Sequence, residues 1–103
     1  LREGPGEGSG GLIEFDPEKG QINRGKHKVM IELGAEIFDR DYIEEEDARN
    51  DYGETRFVAI GPVASLDDRI CVVVYTWRDA KRRLISFRKA NDREVRKYRR
   101  SYP

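Results

Sequence analysis

The stretch RICVVVYTWRDAKRRLISFRKA, Arg69 to Ala90, decides how the chain folds. Arg69 to Arg78 is dense in β-branched and aromatic residues, Asp79 to Lys81 carries turn residues, and Leu84 to Lys89 alternates between two faces. The stretch therefore predicts a β-hairpin. Side chains two apart share a face of a strand, so Ile70, Val72, Val74, Thr76 and Arg78 form one row and Leu84, Ser86 and Arg88 the row beside it. Arginines inside such a row call for an anion or a carboxylate nearby.

Working upstream, Gly53 to Val63 returns to strand character, with Phe57, Ala59 and Gly61 on one face and Arg56, Val58 and Ile60 on the other. Pro62 to Asp68 reads as the loop into the hairpin. The acidic run of Asp39 to Asp51 reads as a solvated loop, with Tyr42 and Ile43 as a short edge strand before it. Val29 to Phe38 predicts a helix with an apolar face of Met30, Leu33, Ile37 and Phe38. Asp16 with Pro17 predicts the start of an earlier helix, running to about His27. That helix holds Gly20 and Gly25, each costing about 1 kcal/mol relative to Ala, and its periodic feature is polar: Lys19, Asn23, Lys26 and His27 share one side. Leu12 to Phe15 is a short strand, and the glycine-rich residues 1–11 are expected to be a flexible tail outside the fold.

Downstream, Asn91 with Glu94 three residues on is a capping-box start, followed by a helix rich in Arg and Lys with Val95 and Tyr98 as its thin apolar stripe. The expected fold is α+β, one domain over residues 12–103. Its sheet is antiparallel, a three-strand meander plus a short N-terminal strand and a possible edge strand. Two N-terminal helices and one C-terminal helix pack on it, largely on one face.

Composition narrows the function classes. In 103 residues, 37% hydrophobic and 39% charged side chains describe one small, heavily charged domain. No apolar run approaches the roughly 18 residues of a membrane span, so no membrane role and a cytoplasmic location are the expectations. One cysteine and one histidine leave no Cys/His zinc site within the chain, and no cofactor is expected. The net charge of zero conceals a segregation: residues 1–77 hold 9 Lys and Arg against 17 Asp and Glu, residues 78–103 hold 11 against 3. A basic C-terminal quarter can attract nucleic acid or be neutralised within the fold.

Several short patterns recur in one order: Asp16, Lys19, Asn23, Lys26 and His27; Ile37, Phe38 and Asp39; Gly53, Glu54, Arg56, Ile60 and Gly61; Thr76 and Arg78; Ser86, Arg88 and Ala90. In that order and spacing the chain resembles the BrnT family of type II toxins. The resemblance implies a RelE-like fold, an endoribonuclease that inhibits growth, an RNA substrate, and a BrnA-like antitoxin with a ribbon-helix-helix part, and the lack of a ligand cluster in the sequence makes metal-independent cleavage the expectation. Contact with DNA would then be indirect, through the antitoxin.

The residues themselves suit such chemistry. Cleaving RNA without a metal needs a base near the 2′-hydroxyl, cations around the phosphorus and an acid for the leaving 5′-oxygen. A turn that pairs Arg78 with Arg82 sets Val74 opposite Ser86 and Val72 opposite Arg88; a loop that pairs Gly61 with Arg69 sets Arg56 opposite Val74 and Glu54 opposite Thr76. Arg56 and Arg88 then lie on one face around Ser86, while Arg78 joins Lys81, Arg82 and Arg83 at the rim. The expected site is catalytic His27, Glu54, Arg56 and Arg88 with substrate-binding Lys26, Arg78 and Ser86, and no metal ligands. Each residue has a second reading: Arg56 and Arg88 as ion-pair partners of Glu54 or Glu94, His27 as a capping group, Glu54 as an arginine's partner. The competing function is a non-catalytic module that binds RNA or protein through the same basic face.

Overall fold

Two consecutive left-handed residues, Asp79 at φ 51° and Ala80 at φ 65°, turn strand β5 (Arg69–Arg78) into β6 (Lys81–Lys89) in the computed structural model, which describes residues 2–4, 12–15, 30–48 and 53–103. Two positive φ values in a two-residue loop are the turn geometry whose twist matches that of the flanking strands. Arg78 therefore pairs with Lys81, not with Arg82 as expected. A register shift between Val74 and Tyr75 recovers the difference, and beyond it Val74 faces Ser86 and Val72 faces Arg88, the pairing read from the sequence. On the turn side of that bulge Leu84 lies opposite Tyr75, so it leaves the row of Ser86 and Arg88. Ala80 is not a residue that favours positive φ. Ala80→Gly is expected to raise stability by about 0.5–1 kcal/mol, read as a higher urea midpoint at unchanged slope.

Strand β4 (Arg56–Val63) runs antiparallel to β5, with Gly61 opposite Cys71 and Val58 opposite Val74. The expected partner of Gly61 was Arg69. The strand runs on to Val63, which itself faces Arg69, and a short helical turn at Ala64–Leu66 with left-handed Asp67 and Asp68 closes the loop in fewer residues than anticipated. A slip of two keeps every side chain on its face, so Arg56, Val58 and Ile60 still share a side with Val72, Val74, Ser86 and Arg88. Val58, however, takes the place opposite Val74 expected of Arg56, and Arg56 and Glu54 lie two residues further from Ser86 and Arg88 along the strand.

The acidic run is not a loop. Tyr42–Asp47 forms β3, antiparallel to β4, and Glu44 and Asp47 are buried. Glu44 is tolerated inside because the Tyr75 hydroxyl donates a hydrogen bond to it. Nor is β3 an edge strand: Arg2–Gly4, expected in the flexible tail, forms β1 along its outer side, since backbone pairing asks nothing of side-chain type. At the other edge β2 (Leu12–Phe15) pairs parallel with β6, so the six-stranded sheet is mixed, in the order β1-β3-β4-β5-β6-β2.

Each face of the sheet has its own core. Ile37, Phe38, Tyr42, Ala59, Val73, Tyr75, Leu84 and Phe87 fill one, under a 3₁₀ helix at Ile31–Asp39. The winding departs from the α-helix expected over Val29 to Phe38. A three-residue repeat lines up Ile31, Gly34 and Ile37, and all three are buried. At Gly34 the helix comes so close to the sheet that a Cβ would sit 2.8 Å from Val73 Cγ2 and 3.2 Å from Phe87 Cδ1. The second core, Ile43, Ile60, Ile70 and Val72, lies on the opposite face under the C-terminal helix Asp92–Ser101, whose Tyr98 and Val95 reach it. Helices thus cover both faces, because the row of Ile60 and Val72 is as apolar as the row behind it. The expected helix from Pro17 to His27 lies outside the described residues. Among the described residues no helix is long and apolar enough to cross a membrane.

Candidate active site

The C-terminal helix covers only part of its face of the sheet. Beyond it Arg56, Val58, Val74, Ser86 and Arg88 are half-buried, whereas Val73, Tyr75 and Phe87 on the other side are fully enclosed. The pairings Val58–Val74 and Val74–Ser86 bring three strands into this row. It is the face on which the sequence put its arginines.

Arg88 is fixed from the helix. Its Nη1 and Nη2 each donate to one oxygen of Glu94 at 2.7 Å, the two-pronged geometry in which a guanidinium is held most rigidly. Glu94 is itself held: the Asn91 backbone N–H donates to its carboxylate at 2.9 Å, and its own N–H donates to the Asn91 side chain at 2.9 Å. The capping box that starts the helix therefore also aims Arg88. Its hydrogen bonds from Arg88 hold the Glu94 carboxyl below the usual range, against the opposing effect of burial and with help from the Asn91 N–H. A depressed folded value means the pair stabilises the protein fully above the ordinary value of 4.5, and that contribution is lost as pH falls through the lowered value. Glu94→Gln is accordingly expected to flatten the acid limb of the stability curve below about pH 4.5, measured by urea unfolding across pH.

Arg56 reaches the same face from β4. Its Nε donates to Glu54 at 3.2 Å, and Asp47 lies directly opposite it on β3. The Thr76 hydroxyl donates to the Thr55 carbonyl at 2.6 Å, tying the approach to β4 onto β5. The ion-pair readings of both arginines are thus present, with Glu54 and Glu94 as the partners. Pairing does not exclude phosphate binding, since both guanidiniums keep accessible surface and an incoming anion competes with the carboxylate for the same donors. Ser86 faces Val74 in the row of Val58, with Arg56 two residues from that row on β4 and Arg88 two residues from it on β6, and Arg78 is exposed at the hairpin end. Lys26 and His27 lie outside the described residues.

Two of the residues expected at the rim are engaged within the fold. Arg83 pairs with Glu14 of β2 at 3.2 Å. Arg82 is not at the rim at all: the two-residue turn sends it to the opposite face, where it is 8% exposed, lies 4.0 Å from the Phe38 ring and 4.6 Å from the Trp77 ring, and donates to the Tyr42 hydroxyl at 3.3 Å. Tyr98, read as packing, is buried and donates to the Asp41 carbonyl at 2.9 Å. Cys71 is a core residue whose thiol burial pushes up to about 11. A cleft lined by Arg40, Pro62, Asp68, Ile70 and Tyr98 lies toward the other end of β4 and β5, and there Arg40 is paired with Asp68 at 2.7 Å.

The crystal structure of the Brucella abortus ribonuclease toxin BrnT superposes with a TM-score of 0.57, covering 79% of this chain and 97% of that one at 21% identity. At that identity the likeness is one of fold. None of the curated proteins matches the chain. The family model described as ribonuclease toxin, BrnT, of type II toxin-antitoxin system matches residues 15–94, a span that begins in β2, takes in every candidate residue and ends on Glu94. By that match the chain belongs to the BrnT family of ribonuclease toxins of type II toxin-antitoxin systems.

Proposed function

We propose that the half-open face carrying Arg56, Ser86 and Arg88 is where this toxin cleaves RNA, in the cytoplasm and without a metal ion. In the reaction the RNA 2′-oxygen attacks the adjacent phosphorus and the bond to the 5′-oxygen breaks, leaving a 2′,3′-cyclic phosphate and a 5′-hydroxyl. One proton leaves the 2′-oxygen and another reaches the 5′-oxygen. Arg88 and Arg56 supply permanent positive charge to the crowded phosphorus, Ser86 a hydroxyl donor beside them, and Lys26 and Arg78 contacts to flanking phosphates. Glu54 and His27 are the groups able to move the two protons.

The observation that carries this reading is the two-pronged Arg88–Glu94 pair on an accessible face. A cation fixed before substrate arrives costs no reorganisation when charge develops, which is how preorganised donors accelerate phosphoryl chemistry. The metal-independent route is favoured by the residue types: one cysteine and one histidine in the chain, and arginines that carry permanent charge to a phosphate without a metal. The partner is proposed to be a BrnA-like antitoxin whose ribbon-helix-helix part contacts DNA and whose remainder covers this face. The basic C-terminal helix, with Arg93, Arg96, Arg99 and Arg100 exposed, supports docking of an acidic segment there.

The test is cleavage of a defined RNA in excess chelator, beside the same reaction with antitoxin added. Undiminished cleavage in chelator and its loss on adding antitoxin are expected. Activity that disappears in chelator and returns with Mg²⁺ or Mn²⁺ on an unstructured RNA would overturn the metal-free route. A complex that cleaves as fast as the free toxin would overturn occlusion.

A further inference from the structure

Trp77, the chain's one tryptophan, is 45% exposed although it sits in the strand beside fully buried Tyr75. Its ring is nevertheless held. The Arg82 guanidinium lies over it at 4.6 Å and is backed by Phe38 at 4.0 Å, while Tyr75 meets it edge-on, with centroids 5.8 Å apart at 83°. The result is a layered stack, phenyl ring, guanidinium, indole, whose outer layer is open to solvent. In the strand register the Trp77–Arg82 pair adjoins the Arg78–Lys81 pair, so two further cations flank it at the hairpin end.

We propose that Trp77 is a stacking platform for an unpaired nucleobase of the RNA substrate, with Arg78 and Lys81 holding the adjoining phosphates. The inference rests on the RNA-cleaving reading and extends it to a second contact, across the sheet rim from Arg56 and Arg88. Aromatic side chains beside cations are the general means of binding single strands, since every base offers a π face and the contact is worth roughly 1–3 kcal/mol per base. Here the indole loses little freedom on binding because the stack beneath already fixes it. The strand faces differ: Thr76, next in sequence, belongs to the side of the arginines, so a strand turning over the hairpin end passes from Trp77 to the proposed site. Trp77 thereby selects a single-stranded substrate, because a base inside a duplex cannot reach it.

The experiment uses the full chain and a fully 2′-O-methylated single-stranded oligonucleotide of defined sequence, which cannot supply the attacking 2′-hydroxyl. The sole tryptophan makes intrinsic fluorescence a direct reporter, and strong quenching on binding is expected in the wild-type protein. In parallel, anisotropy of the labelled oligonucleotide gives affinity for wild type, Trp77→Phe and Trp77→Leu. Leucine still shields Arg82 but cannot stack, so it is expected to weaken binding about tenfold or more, with phenylalanine recovering most of the loss. An abasic position walked along the oligonucleotide is expected to abolish quenching at one site. Wild-type binding with neither quenching nor any effect of Trp77→Leu overturns the platform and leaves the active-site reading standing. No binding of either the oligonucleotide or cleavable RNA overturns both. A Trp77→Leu variant, folded by circular dichroism, that loses antitoxin affinity while keeping RNA affinity overturns the platform in favour of a protein contact.

Discussion

Arg88→Ala is expected to slow single-turnover cleavage of a defined RNA about a hundredfold, the loss typical of removing one well-placed donor to a developing negative charge. Arg56→Ala is expected to do the same. In each case expression of the variant alone no longer arrests growth. Arg88 does two things in the fold, however, since it also neutralises Glu94 beside the helix start. Losing it therefore costs some stability, and circular dichroism and a urea midpoint accompany each rate. Glu94→Gln separates the two roles. It keeps the capping geometry and leaves Arg88 charged but less firmly aimed, so its rate is expected to fall between wild type and Arg88→Ala. Arg83→Ala, which loses a partly exposed pair with Glu14, keeps a turnover close to wild type. Near-wild-type turnover in both Arg56→Ala and Arg88→Ala would remove the proposed site.

The second large effect is on folding, at Arg82. Arg82→Ala is expected to cost about 3 kcal/mol or more, seen as a fall in urea midpoint, since it removes a desolvated cation from between aromatic rings and leaves a cavity in the core. The partners left behind raise the cost. The Tyr42 hydroxyl loses a donor, and buried Glu44 keeps its place at the Tyr75 hydroxyl with one cation fewer nearby. Burial, the hydrogen bond to Glu44 and its charge already push the Tyr75 phenol well above its ordinary range, with Arg82 opposing them. Arg82→Met, which fills much of the same space without a charge, is expected to cost clearly less than alanine. Equal losses for the two would mean that packing contributes little here and charge most of it.

The sequence placed Arg82 at the rim because it assumed a three-residue turn and an unbroken strand. Neither assumption is visible in residue types: Asp79–Ala80 lacks the glycine that announces a two-residue turn, and the bulge at Val74/Tyr75 lies inside an unbroken run of β-formers. The two errors offset each other past the bulge, so the pairs Val74–Ser86 and Val72–Arg88 were legible although the turn was not, whereas Arg56 was read two residues out of register and only its face was legible. Glu94 was likewise legible, as a cap and as a candidate partner of Arg88. Glu44–Glu46 was not, because an acidic run looks solvated until a tyrosine from two strands away supplies a buried donor. The covering of both faces was hidden for a related reason: a helix with few apolar residues, Val95 and Tyr98, suffices where the strands beneath already contribute Ile43, Ile60 and Val72.

The parallel pairing of β2 with β6 has a kinetic consequence. Every other neighbour in the β3-β4-β5-β6 ladder follows its partner closely along the chain, so those strands can zip together in sequence as hairpins. The Glu14–Arg83 contact, by contrast, joins residues 69 apart, and closing so long a loop carries an entropic cost that contacts already made by the ladder must outweigh. Refolding should accordingly be biphasic in hydrogen exchange: amides of β4 and β5 gain protection first, and those along the β2 side of β6 gain it later. During that interval β6 presents an open edge, the state in which a second chain could insert a strand of its own.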